Sequence, residues 1–223
     1  MLTVARQAYR NAKMWTDLCA NARSLAVVGG TRTGKTALVY DILSFSDKPV
    51  YVFKHPRPEL IEALGFHNLQ GLGEVEFLQD CILFLDEPQL YITLSEKKAN
   101  HVLQNLLSLC GQRNVLLIMS TSETRFITRG LEAYIEVYLI KDIDVDYVKQ
   151  GSQIKKIVKD AVYVSLDGFR LTVPQFIFYS RRFNAYNGIK TFDKPDFFTD
   201  ELSKPYRITA LESAPKLAEI KVI

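Results

Sequence analysis

The sequence predicts an α/β fold, a mostly parallel central sheet flanked by helices on both faces, and three observations carry that reading. Short, almost wholly apolar runs at residues 24–28, 50–53, 81–85 and 115–119 read as strands buried on both sides. Between them lie stretches whose apolar residues recur at three and four, the pattern of strand–helix–strand units. A glycine-bearing loop joins the first run to the helical stretch behind it, a strand–loop–helix arrangement that places the loop at the carboxyl rim of the sheet.

Taken in order, residues 2–22 are helical, with Leu2, Ala5, Ala8, Tyr9, Ala12, Trp15, Leu18 and Cys19 on one face. The strand at 24–28 enters the glycine loop, and residues 35–43 continue as a helix. A Ser-Asp-Lys-Pro turn precedes the strand at 50–53, and His55-Pro56-Arg57-Pro58 breaks the chain before a short helix at 59–64. Gly71 and Gly73 mark a loop ahead of the strand at 81–85. A helix over 95–110 has Ser95 as N-cap and Gly111 as its stop. The strand at 115–119 ends in Ser120-Thr121-Ser122, and 134–140 reads as a further strand. Beyond Asp142 the pattern changes: 145–161 is polar and amphipathic, with Lys155, Lys156 and Lys159 at its far end. Residues 162–166 and 171–173, joined by Asp167-Gly168, suggest a hairpin, and 175–179 a last strand, with a turn at Asn187-Gly188. We read residues 1–189 as one domain and 190–223 as a C-terminal strap rich in Pro and aromatics.

Bulk properties narrow the class. A chain of 223 residues supports one good core, and 48% apolar with 24% charged residues is ordinary for a globular protein. The net charge of +3 permits a nucleic-acid partner without demanding one. No apolar run approaches the roughly 18 to 20 residues that cross a bilayer, and the N-terminus lacks the design of a signal peptide. Cys19, Cys81 and Cys110 form neither a disulfide framework nor a zinc pattern and suit a reducing cytoplasm. His55, His67 and His101 are scattered, so no protein-ligated metal is expected beyond a nucleotide's magnesium.

The chemistry is carried by two segments. Gly29-Gly30-Thr31-Arg32-Thr33-Gly34-Lys35-Thr36 matches the P-loop, or Walker A, pattern G-x-x-x-x-G-K-[ST], and Ala37 follows it into the helix. Its glycines let successive N–H groups turn inward on phosphate, and the helix start adds partial positive charge. Lys35 is expected to reach the β- and γ-phosphates of ATP, and the Thr36 hydroxyl to ligate Mg²⁺. Cys81-Ile82-Leu83-Phe84-Leu85-Asp86-Glu87 then reads as a Walker B strand. Asp86 at its carboxyl end is expected to hold the Mg²⁺ shell, and Glu87 to polarise a water for attack on the γ-phosphate. The chain is thus a P-loop NTPase by motif, and ATP hydrolysis is the expected reaction.

P-loops serve many functions, so the class needs further features. Asn-Lys-x-Asp, which selects guanine, is absent, as is the ABC signature loop. The P-loop, the Asp-Glu strand and a third strand with a polar end are spaced as in ring-forming motors. On Gly29 to Thr36, Leu83 to Pro88, Val115 to Ser122 and the tail Phe192 to Tyr206, the chain resembles the FtsK/HerA superfamily of RecA-like ATPases. The likeness is to the compact genome-packaging ATPases of membrane-containing viruses and the related Zot-type ATPases of filamentous phages. It implies a homohexameric ring that threads double-stranded DNA and holds ATP between subunits. It also implies work in the host cytoplasm or on the virion, against a capsid vertex or membrane-associated viral proteins. One departure stands out: where the family often has a γ-phosphate-sensing glutamine at the end of the third strand, this chain has Ser122. A ring motor also needs a cation donated in trans, for which Arg125 and Arg113 rank ahead of Arg129. Each of these is equally readable as a surface arginine. Lys97-Lys98, Lys155-Lys156 with Lys159, and Arg181-Arg182 are the basic clusters open to DNA phosphate, or plain solvated faces. The alternatives are a Zot-type assembly ATPase, a class that commonly carries a transmembrane segment, a P-loop small-molecule kinase, and an ATP-binding switch.

Overall fold

Strands that are apolar on both faces need cover on both faces, and this dictates the architecture. The structure, a computed structural model, describes residues 2–90, 96–122, 129–141 and 171–203, with the side chains of 2–10, 72, 96–100 and 129–130 outside that description. In chain order the elements are α1 (Leu2–Asn21), β1 (Ser24–Val28), α2 (Lys35–Leu43), β2 (Val50–Phe53), α3 (Pro58–Ala63), β3 (His67–Leu69), α4 (Leu72–Val75) and β4 (Ile82–Asp86). They continue as α5 (Glu96–Gln112), β5 (Leu116–Thr121), α6 (Arg129–Glu132), β6 (Val137–Ile140), β7 (Gln175–Ser180) and β8 (Gly188–Thr191). Among the described residues these strands form one eight-stranded sheet in the order β3-β2-β4-β5-β1-β6-β7-β8. The first six run parallel, whereas β7 and β8 are antiparallel additions at one edge. The expected mostly parallel α/β sheet is what forms.

Alternation along each strand divides the core in two. Leu25 and Val27 of β1, with Ile82, Phe84, Leu116 and Ile118, face α1 and α2, meeting Trp15, Leu18, Leu38 and Ile42. Ala26 and Val28, with Leu83, Leu85, Leu117 and Met119, face α5 through Leu103, Leu106, Leu107 and Cys110. The strap begins on the first face. Phe192, Phe198 and Leu202 are buried there, and Phe198 packs beside Tyr40 of α2 at 5.4 Å between ring centroids. The first part of the tail therefore closes its own domain, with the P-loop helix beneath it.

Several boundaries differ from the sequence reading. Gly111 does not stop α5, which runs to Gln112; Asn114 takes the left-handed turn instead, at φ 54°, and Val115 N–H closes on Cys110 O at 2.9 Å. β5 extends through Ser120 and Thr121, because Ser120 still pairs with Asp86 in the ladder. The strand expected over 134–140 begins only at Val137. Leu171 to Val173 form no strand: Gln175 N–H turns back onto Thr172 O at 2.8 Å. The other arm of that expected hairpin, residues 162–166, and the amphipathic stretch 145–161 lie outside the described residues. β3, α4, α6, β8 and a short helix at Asp200–Ser203 are elements the sequence alone does not predict.

Candidate active site

Parallel strands leave their carboxyl ends at one rim, and the adjacent strands β1, β5 and β4 bring three functional segments together there. The glycine loop follows β1. Gly29 N–H bonds Thr121 O at 3.3 Å, which ties the loop to the end of β5. Gly34, the residue before α2, has φ 85°, and Arg32 within the loop has φ 63°. Left-handed residues of this kind let successive backbone N–H groups turn to one side, as an anion nest requires. The turn is held by the Thr33 hydroxyl, which donates to Gly30 O at 2.9 Å. Thr31 and Arg32 are exposed on the outer side of the loop, while Ala37 is buried in the first turn of α2.

Lys35 is 6% exposed, and its ammonium is shared between Gly30 O at 3.0 Å and Glu87 Oε1 at 3.2 Å. Thr36 Oγ1 donates to Asp86 Oδ2 at 3.4 Å, and the Ser120 hydroxyl donates to Asp86 Oδ1. Burial pushes the Asp86 carboxyl up to about 6; the Ser120 hydrogen bond opposes that shift and the neighbouring Glu87 charge adds to it. Glu87 has left the strand, with φ 47° and its N–H on Ser120 O at 3.0 Å. Its Oε2 accepts from Ser122 N–H at 2.8 Å, from Ser122 Oγ at 3.0 Å and from the Gln89 amide.

The expected residues are therefore largely assembled. Lys35, Thr36, Asp86, Glu87 and Ser122 converge, although Ser122 spends its hydroxyl on Glu87. Thr36 and Asp86 offer hard oxygens side by side, and the buried carboxylate gains from a cation, so the pair suits Mg²⁺. Among the described residues no group of three His, Cys, Asp or Glu is placed to hold a metal ion, and an Mg²⁺ that arrives with nucleotide takes phosphate and water as further ligands. Arg113 stands elsewhere. It precedes β5 at the opposite rim of the sheet and donates to Glu76 O. Arg125 lies outside the described residues, and Arg129 opens α6 without a described side chain. Lys97 and Lys98 lie in the first turn of α5, while Lys155, Lys156 and Lys159 fall outside the described residues. Arg181 and Arg182 also sit at the far rim, beside a cavity of about 390 Å³ shared with Glu132, Glu136, Tyr138 and Tyr179.

Three contributors escaped the sequence reading. In sequence Ser120 is only part of a polar strand end, yet its register opposite Asp86 makes it that residue's partner. Gln89 is two residues past Glu87, with no periodicity to mark it. Lys141, 1% exposed, ends β6 beside the glycine loop, where its N–H bonds Val28 O at 2.7 Å. Its ammonium donates to Gln175 O at 2.7 Å and to Val173 O, and lies 4.5 Å from the centre of the Phe192 ring. A lone lysine closing an apolar strand was the available signal. Trp15 Nε1 supports the P-loop helix from α1, donating to Asp41 Oδ2 at 2.8 Å.

A glycine nest, a lysine, a hydroxyl–carboxylate pair and a second acid at one sheet rim define the P-loop NTPase class. No protein-family model matches this sequence, and no curated protein matches it. Solved structures do. B204, the DNA-packaging ATPase of Sulfolobus turreted icosahedral virus, aligns at 12% identity and TM-score 0.50 over 77% of this chain and 97% of its own. The genome-packaging NTPase B204 of Sulfolobus turreted icosahedral virus 2, in complex with ATP-gammaS, aligns at 14% identity and TM-score 0.52 over 76% and 96%. Its complex with AMPPCP gives 13% identity and TM-score 0.51 over 77% and 97%. At these identities the likeness shows the fold alone: this chain shares the α/β architecture of those structures.

Proposed function

We propose that this chain is a Mg²⁺-dependent ATPase that drives double-stranded DNA, packaging a viral genome as a homohexameric ring. One observation carries the hydrolytic part: Lys35, Thr36, Asp86 and Glu87 meet at the mouth of the glycine nest with the separations given above. The fold shared with genome-packaging ATPases supports the DNA part.

Each residue has a physical task. The nest and the start of α2 hold the phosphates, and Lys35 neutralises charge on the β- and γ-oxygens. Bound at Thr36 and Asp86, Mg²⁺ would supply further neutralisation of the phosphate oxygens. Glu87 takes the proton of the attacking water. The water oxygen bonds to the γ-phosphorus, and the bond to the bridging oxygen breaks with its electrons staying on ADP. A cation from a neighbouring subunit completes the charge balance, with Arg125 and Arg113 as candidates.

The test is ATPase turnover with and without double-stranded DNA, beside a mass measurement of the assembled species. Stimulation by DNA and a six-membered assembly are expected. A rate indifferent to DNA at every salt concentration refutes the motor reading. Lys35→Ala should abolish nucleotide binding or turnover. Glu87→Gln should bind ATP yet turn over at least 100-fold more slowly, because an amide is a poor proton acceptor.

A further inference from the structure

The anchoring of Glu87 is asymmetric. Three donors converge on Oε2: Ser122 N–H at 2.8 Å, Ser122 Oγ at 3.0 Å and the Gln89 amide. Oε1 instead faces the Lys35 ammonium at 3.2 Å. The Gln89 amide is itself oriented, because the Thr121 hydroxyl donates to its Oε1 at 3.2 Å and turns the NH₂ toward Glu87. Thr121 is 1% exposed, and its carbonyl accepts Gly29 N–H at 3.3 Å, so the relay ends on the phosphate loop itself. The backbone of Glu87 sits at φ 47°, an uncommon conformation for a non-glycine residue, held by its N–H on Ser120 O.

We propose that Gln89 and Ser122 are positioning residues that hold Glu87 by Oε2 and leave Oε1 to take the proton from water once Lys35 moves from it to phosphate. The inference rests on the ATPase reading above. A glutamate side chain has three rotors, and fixing one oxygen in advance removes that search from the reaction. Lys35 is the group able to leave: triphosphate offers it more negative charge than a single carboxylate does. The Oε2 donors are uncharged, so triphosphate draws on them far less than on an ammonium; two of them come from Ser122, immediately after β5. Nucleotide arrival and exposure of the base are then one event, since the same ammonium serves both.

The experiment is steady-state hydrolysis by the full chain with Mg²⁺, together with the Kd for a non-hydrolysable ATP analogue. Gln89→Met and Ser122→Ala are expected to lower kcat about 10- to 100-fold, the worth of a hydrogen bond to a charged group, with KM and Kd changed less than twofold. Ser122→Thr keeps the hydroxyl and should recover most of the rate. Gln89→Glu keeps the shape but replaces the donor with an acceptor, and should lose at least as much as Gln89→Met. A residue that merely fills space would tolerate that exchange. Wild-type kcat in Gln89→Glu, or a rise in KM with kcat intact in Gln89→Met and Ser122→Ala, overturns the proposal. If the wild type neither binds the analogue nor hydrolyses ATP, the ATPase reading falls and takes this inference with it. If the wild type turns over, Glu87→Gln does not, and the Gln89 and Ser122 variants match wild type, only the anchoring proposal falls.

Discussion

Replacing Asp41 by Asn should stabilise this protein at neutral pH, and the reason lies in the burial of the P-loop helix. Asp41 is 8% exposed, and burial pushes its carboxyl from the usual 3.8 up to about 6; the Trp15 hydrogen bond opposes the shift and the nearby Asp193 adds to it. The native state thus holds this proton more tightly than the unfolded chain does. Stability contributed by the group is complete below about pH 4 and declines as pH rises through about 6. Above that the full cost of the buried charge applies, on the order of 3 kcal/mol for a displacement of this size. Asn retains an oxygen for Trp15 Nε1 and carries no charge. Urea unfolding at pH 4 and pH 7.5 measures the difference. Asp41→Asn should match wild type at pH 4 and exceed it at pH 7.5 by an amount approaching that figure. A stability difference that is the same at both pH values, or a variant weaker than wild type at pH 7.5, refutes the reasoning.

Three further outcomes follow from the same geometry. Asp86 must be ionised to hold a cation, so the Mg²⁺ concentration for half-maximal turnover should rise about tenfold between pH 7 and pH 5, while Asp86→Asn shows a weak and pH-independent requirement. Gly34→Ala forces a side chain onto φ 85° and sets a Cβ 3.4 Å from Val173 Cγ1, so it should cost about 1–2 kcal/mol in thermal or urea unfolding and weaken ATP-analogue binding. Phe192→Ala empties a buried site against Phe176 and removes the ring beneath Lys141; unfolding should register a loss of about 3–5 kcal/mol.

Much of the site was legible because its motifs are constraints on backbone as well as on side chains. Gly34 must turn left-handed, Lys35 must open a helix, and Asp86 must end a strand buried on both faces, so sequence and geometry imply one another there. The central strands were legible for the same reason, being apolar on both sides. β3, as His67-Asn68-Leu69, and β8, as Gly188-Ile189-Lys190-Thr191, lie at the sheet edges and carry one or two apolar residues each, too few to stand out from loop. Gln89 was invisible because its role depends on Thr121, which arrives from another strand through pairing and not through chain proximity. Aromatic composition alone does not say what the tail packs against; within residues 190–203, contacts such as Phe198 on Tyr40 place it on the core of the same chain. Gly111 misled because glycine permits a helix stop without compelling one, and Asn114 supplied the turn three residues later.

The sheet has consequences for signalling across the molecule. Its phosphate-facing residues occupy one rim, while Arg113, Arg181 and Arg182 occupy the other, separated by strands of five or six residues such as β1 and β5. That span is about 17 Å, twice the Debye length of physiological saline. An ion lost or gained at this subunit's own nucleotide acts only weakly on arginines that face solvent at such a distance, as Arg181 and Arg182 do. A stronger coupling between the two rims would need displacement of the packed strands that join them.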